Sequence, residues 1–178
     1  LVVFSGESFT QCPLTIDHDV LINLYGDIKN GMIEDGTAIG MGLATAVNRL
    51  KDSEAKSKVI ILLTDGSNNG GSVPPITAAE IAKHFNVRVY TVGLGTNGYA
   101  PYPFQMPSGE IIYQQVEVKI DEGTLTKIAN ITGGKYFRAT NNRALKNIYA
   151  QIDKMEKAKI DVTQYRKKTE AFLPFAII

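Results

Sequence analysis

The sequence has 178 residues, 44% hydrophobic and 21% charged, which is enough for one domain with a real core. Its net charge of +1 leaves no broad electrostatic case for nucleic acid as a partner. Cys12 is the only cysteine, and His18 and His84 are the only histidines. That excludes an internal disulfide and a thiolate zinc site and leaves the redox compartment open.

The chain opens on Leu1-Val2-Val3-Phe4, which reads as a strand already in progress, with neither an initiator methionine nor a signal-peptide pattern. The sequence is therefore expected to be a fragment. Ser5-Gly6 closes this strand, and residues 9–14 can pair beside it, with Pro13 favouring an edge. From Asp17, a plausible N-cap, apolar residues at Val20, Leu21, Leu24 and Ile28 make one helical face. Residues 29–37 read as a loop. A second helix is expected from about Ala38 to Leu50, with Ile39, Leu43, Val47 and Leu50 on one side. Gly40, Gly42, Ala44 and Ala46 are small enough to let that helix lie close to a sheet, or are merely tolerated at some cost.

Residues 58–71, KVIILLTDGSNNGG, organise the rest. A run of five apolar residues at 59–63, three of them β-branched, suits a strand buried on both faces. It ends in Thr64-Asp65-Gly66, which puts Asp65 where open α/β sheets collect ligands, outside the carboxyl ends of the strands. A cap or turn role for Asp65 is the plain alternative. Pro75 suits a first helical position, and Ala78, Ile81, Ala82 and Phe85 mark the face of the helix it opens. RVYTVGL, residues 88–94, is the next strand, so helix and strand alternate as in a parallel α/β sheet.

Residues 95–120 break this rhythm. They carry Pro101, Pro103 and Pro107 among Tyr99, Tyr102, Phe104 and Tyr113, and a structureless loop of this length is uncommon in a compact domain. They read as an insertion over the ligand edge, centred on 97–118, with 111–118 forming part of a small hairpin. It is a partner surface, a lid or a self-packed flap. Leu125, Ile128 and Ala129 mark a further helix with Gly133 just past its end, 135–139 is a short strand, and about Arg143 to Glu156 is the clearest amphipathic helix. The domain is expected to cover 1–156. The tail, 157–178, runs from Lys157, Lys159, Arg166, Lys167 and Lys168 into AFLPFAII. Eight apolar residues cannot span a bilayer, yet a basic stretch running into an apolar one is how a juxtamembrane segment begins.

Gly93-Leu94-Gly95-Thr96-Asn97-Gly98 matches GxGxxG, but the dinucleotide fingerprint needs a helix to open within it. The prolines at 101 and 103 forbid one. For nucleophilic hydrolysis, Ser5 and Ser8 lack a GxSxG elbow. A hydrolase using Asp65 stays a low alternative. The informative pair is Asp35-Gly36-Thr37-Ala38-Ile39-Gly40 followed by Leu63-Thr64-Asp65-Gly66-Ser67. A hydroxyl and a carboxylate at one sheet edge suit a hard divalent cation such as Mg²⁺, which takes oxygen ligands and keeps several waters.

With these residues the chain resembles a von Willebrand factor A-type domain, whose metal-ion-dependent adhesion site is built from three loops bearing DxSxS, a Thr and an Asp. Thr37 in DGTAIG matches the second loop and Asp65 in LLTDG the third. No DxSxS occurs, and in the family it follows a first strand that would lie upstream of Leu1. FSGESFTQCPLT, YTVGLGTNG and ITGGKYFRA look more specifically like the membrane-anchored bacterial Bat-type aerotolerance proteins. The resemblance implies a doubly wound, mostly parallel sheet with helices on both faces, here without its first central strand. It also implies a non-enzymatic interaction module whose Mg²⁺ accepts a partner's carboxylate. The parent protein would sit in the bacterial membrane and work with a MoxR-type ATPase and other proteins of the same fold. A structural domain without a working metal site is the alternative. An absent central strand would cost on the order of 10 kcal/mol in side-chain burial alone, comparable to the stability of a whole domain. Cooperative folding of these residues alone is therefore not expected, unless the first strand slides across to pair with 59–64.

Overall fold

The computed structural model describes residues 1–29, 31–95, 98–118 and 120–172. Strands β1 (Val2–Phe4) and β2 (Ser8–Thr10) form an antiparallel pair. Helices α1 (His18–Gly26) and α2 (Ile39–Leu50) follow, then β3 (Lys58–Thr64), α3 (Pro75–His84) and β4 (Val87–Leu94). An antiparallel hairpin of β5 (Gly98–Gln105) and β6 (Ile111–Val118) leads into α4 (Glu122–Thr132), β7 (Tyr136–Ala139) and α5 (Asn142–Phe172). β3, β4 and β7 make a parallel sheet in the order β3-β4-β7. The chain is an α/β fold in which helices flank parallel and antiparallel sheets.

The apolar run of β3 is continuous because both faces of this strand are covered. Ile60 and Leu62 pack with Ile39, Leu43 and Val47 of α2, Ala78 and Ala82 of α3, and Leu125 and Ile128 of α4. Val59, Ile61 and Leu63 pack on the opposite layer, with Ile148 and Ile152 of α5 and Tyr90, Val92 and Phe137. Alternate residues of one strand thus serve two cores. The small residues of α2 are required by close approach. A Cβ on Gly40 would collide with the Val73 carbonyl oxygen, and one on Gly42 would come to 2.7 Å from the Phe4 ring.

Several local expectations hold. Asp17 caps α1, accepting from the Asp19 and Val20 amides. Pro75 opens α3, and Gly133 ends α4 in a left-handed conformation, φ 72°. Gly98, the last glycine of the GxGxxG match, starts a strand and not a helix. The face expected on α1 is its less exposed side: Leu21, Leu24 and Ile28 are half-buried, although no residue of the helix is fully buried and Ile28 lies beyond its end. Tyr25 and Ile28 border an open trough. One expectation is corrected. The last amphipathic helix does not stop near Glu156 but continues to Phe172. Residues 173–178, which hold most of the apolar run at the end of the chain, lie outside the described residues. Among the described residues no helix is long and apolar enough to cross a membrane.

Candidate metal site at the carboxyl edge of the sheet

Thr37 and Asp65 reach one place from two directions. Thr37 precedes α2, and Asp65 directly follows β3. The Thr37 hydroxyl lies against Gly66, where a Cβ would come to 3.0 Å from Oγ1, so the residue after Asp65 must be small for the two loops to meet. Thr37 is half-buried and Asp65 exposed. Both line the same end of a cavity of about 670 Å³ that runs between β1 and β3.

The Thr37 loop is held from both sides. The Ser5 hydroxyl donates to the Gly36 carbonyl at 3.1 Å, and the Ala38 amide donates to the Ser5 carbonyl at 2.6 Å. On the other side, the Thr37 amide donates to Asn69 Oδ1 at 2.7 Å, and the Asn69 amide donates back to the Thr37 carbonyl at 3.1 Å. The Ile39 amide donates to Asn68 Oδ1 at 2.9 Å. α2 has no side-chain cap from its own Ala38. Asn68 and Asn69, from the loop after β3, satisfy amides at its amino end instead. Sequence reasoning noted the polar SNNGG stretch but missed this role, as it missed Ser5. The signal was two asparagines placed just after TDG, but their partners lie about thirty residues away in the chain.

The donor set fits part of a hard-cation shell. A hydroxyl-bearing and a carboxylate-bearing residue line one opening, and Mg²⁺ binds through one or two carboxylates together with waters. Two oxygens do not complete a shell. Among the described residues no group of three or more His, Cys, Asp or Glu side chains is placed to hold an ion.

An ionic cluster lies at the amino ends of β3 and β4 and is structural. Glu156 of α5 accepts from Ser57 Oγ at 2.9 Å, from Arg88 at 2.6 Å and from the Tyr90 hydroxyl at 2.5 Å. Burial works to raise the Glu156 carboxyl, but these hydrogen bonds and the Arg88 charge hold it below its usual range. Burial, then the bond to Glu156, pushes the Tyr90 phenol up to about 12. The cluster fastens α5 to the amino ends of β3 and β4.

Residues 1–151 match the von Willebrand factor type A domain model. Among curated relatives, an uncharacterized protein of Borreliella burgdorferi is 27% identical over 88% of this chain and 46% of its own length. A UPF0353 protein of Mycolicibacterium paratuberculosis is 29% identical over 86% of this chain and 47% of its own. The chain thus spans about half the length of the curated relatives it matches. Among solved structures, the conserved hypothetical protein BatB of Bacteroides thetaiotaomicron superposes with a TM-score of 0.72 at 30% identity, covering 88% of this chain and 78% of that one. An aerotolerance-related membrane protein of Bacteroides fragilis gives 0.68 at 29% identity, covering 86% and 77%. Proximal thread matrix protein 1 of the mussel byssus, in a form with a zinc-occupied MIDAS motif, shares the fold with a TM-score of 0.62 at 23% identity, covering 87% and 33%.

Proposed function

This chain belongs to the von Willebrand factor type A family and is similar to Bat-type aerotolerance proteins, and on that premise we propose that it is a non-enzymatic interaction module working through a divalent cation. Thr37 and Asp65 would hold the ion, Mg²⁺ being the best fit to two oxygen donors that keep water. When bound, the ion would supply an open coordination position for a carboxylate on a protein partner. The carrying observation is the convergence of Thr37 and Asp65 on one cavity end, with the Thr37 hydroxyl packed against Gly66. The remaining oxygens would come from a loop outside these residues, following a strand that completes a doubly wound sheet between β1 and β3. In this reading 1–156 is the interaction domain, 97–118 its insertion, and 157–178 the approach to the anchor. The parent protein would be anchored in the bacterial membrane, and a MoxR-type ATPase or another protein of this fold is the partner to test first.

The test uses a parent protein that carries DxSxS and a surface-immobilised MoxR-type ATPase. Binding is expected in Mg²⁺, to be lost in EDTA, and to be lost in Asp65→Ala with the circular dichroism spectrum unchanged. Equal binding in EDTA would overturn metal use.

A further inference from the structure

The loop after β3 carries a dipeptide with chemistry of its own. Asn69 is followed by Gly70. Asparagine is thermally labile because the backbone nitrogen of the next residue can attack its side-chain amide carbon. Glycine in that next position leaves the nitrogen unshielded, having no Cβ. Asn69 is exposed and stands in a segment, 67–71, that is neither helix nor strand. A Cβ built on Gly70 would meet nothing within 4 Å, so there is room for a ring to close. Among the described residues the Gly70 amide donates to no acceptor.

The fold also places a donor where the reaction needs one. Asn69 Oδ1 accepts from the Thr37 amide at 2.7 Å. That oxygen takes up negative charge when the side-chain carbon is attacked, and a fixed N–H directed at it stabilises the transition state. Asn68 differs at each point. It is half-buried, and its Nδ2 donates to the Gly70 carbonyl at 3.3 Å. The nitrogen that would attack it, that of Asn69, is engaged with the Thr37 carbonyl at 3.1 Å.

We propose that Asn69 is a self-modification site: it deamidates in the folded protein, and its isoaspartate form unfastens the Thr37 loop from the loop after β3. The Gly70 nitrogen gives up its proton and bonds to Asn69 Cγ. The Cγ–Nδ2 bond then breaks, and Nδ2 leaves with that proton as ammonia, which closes a cyclic imide. Water opens the imide on either side. Attack at Cγ breaks the new bond and gives aspartate. Attack at the main-chain carbonyl carbon breaks the original peptide bond and gives isoaspartate, whose main chain runs through Cγ. One water is consumed, one ammonia is released, and nothing is oxidised or reduced. Aspartate keeps an acceptor for the Thr37 amide and adds a negative charge beside it. Isoaspartate makes the main chain one methylene longer and draws the accepting oxygen into it, so the paired bonds between residues 37 and 69 lose their register. None of this requires an ion at Thr37 and Asp65. Asn30-Gly31 and Asn97-Gly98 are the same dipeptide, but Asn30 and Asn97 lie outside the described residues.

The test incubates the parent protein, folded by circular dichroism, in mildly alkaline buffer beside a synthetic peptide of residues 64–72. Site-resolved mass spectrometry follows the exchange of amide for acid, and an isoaspartate methyltransferase labels the isomer. Asn69 should convert in the folded protein and Asn68 should not. Gly70→Ala, which has open space to fill, should slow conversion by about tenfold or more with melting unchanged. In the aged protein, amide exchange at Thr37 should be faster by about tenfold or more, whereas freshly made Asn69→Asp should keep its protection. An Asn69 that stays intact while the free peptide converts would overturn the proposal. So would equal conversion at Asn68, conversion unaffected by Gly70→Ala, or a Thr37 amide as well protected in isoaspartate-bearing protein as in fresh protein.

Discussion

At the scale of single residues, Glu156 and Asn69 carry the sharpest consequences. Glu156 is 12% exposed at its side chain and serves three donors. Replacing it with alanine leaves the Arg88 charge and the Tyr90 hydroxyl without their acceptor, and chemical denaturation should show a loss of about 3 kcal/mol. Because its carboxyl is held low, the stability it adds is present above the unfolded value of 4.5 and is lost as pH falls through the folded one. Tyr90 acts at the other limb. Its raised value means stability present below pH 10 and lost as pH rises from 10.0 towards about 12. Melting across pH should therefore show both limbs, and Glu156→Gln should flatten the acid one. Asn69→Ala removes the acceptor for the Thr37 amide, which should cost about 1 kcal/mol and weaken any ion bound at Thr37 without touching Asp65. Calorimetry on that variant measures both. That Thr37 and Asp65 line one cavity could be expected because both sit in loops next to recognisable elements. Ser5, Asn68 and Asn69 were not legible, because what they do is fixed by partners distant in sequence.

At the scale of elements, periodicity worked where an element is covered. β3 and β4 fill both faces of a sheet, and α2 buries Ile39, Leu43 and Val47 where its spacing puts them. On α1 it marked the less exposed side, with Leu21, Leu24 and Ile28 half-buried, although no residue of that helix is fully buried. It ended α5 too early, because nothing in residues 157–172 acts as a breaker and the helix runs on. The glycines of α2 were ambiguous in sequence and are settled by contact. Gly40→Ala adds helix propensity of about 1 kcal/mol, yet its Cβ meets the Val73 carbonyl, and the strain should win. A net loss of about 1–3 kcal/mol is expected from thermal unfolding, whereas Gly26→Ala, with open space around it, should not destabilise.

At the scale of the whole molecule, the alternation of helix and strand was enough to name an α/β fold, and the family match agrees with that over residues 1–151. The arrangement in separate sheets was not legible, because strand neighbours are set by long-range contacts. β1 does not slide across to β3; it stays paired with β2, and the trough remains between them. That places the Thr37–Asp65 edge at the mouth of the trough, and makes the ion the central claim. The most direct measurement titrates Mn²⁺, a paramagnetic stand-in for Mg²⁺, into an isotope-labelled parent protein that carries DxSxS and follows amide broadening by nuclear magnetic resonance. The amides of Thr37, Ala38, Asp65 and Gly66 should broaden first, Mg²⁺ should reverse the effect, and Asp65→Ala should remove it. Broadening that begins at the exposed Asp153 carboxylate of α5, or that survives in Asp65→Ala, would contradict the account.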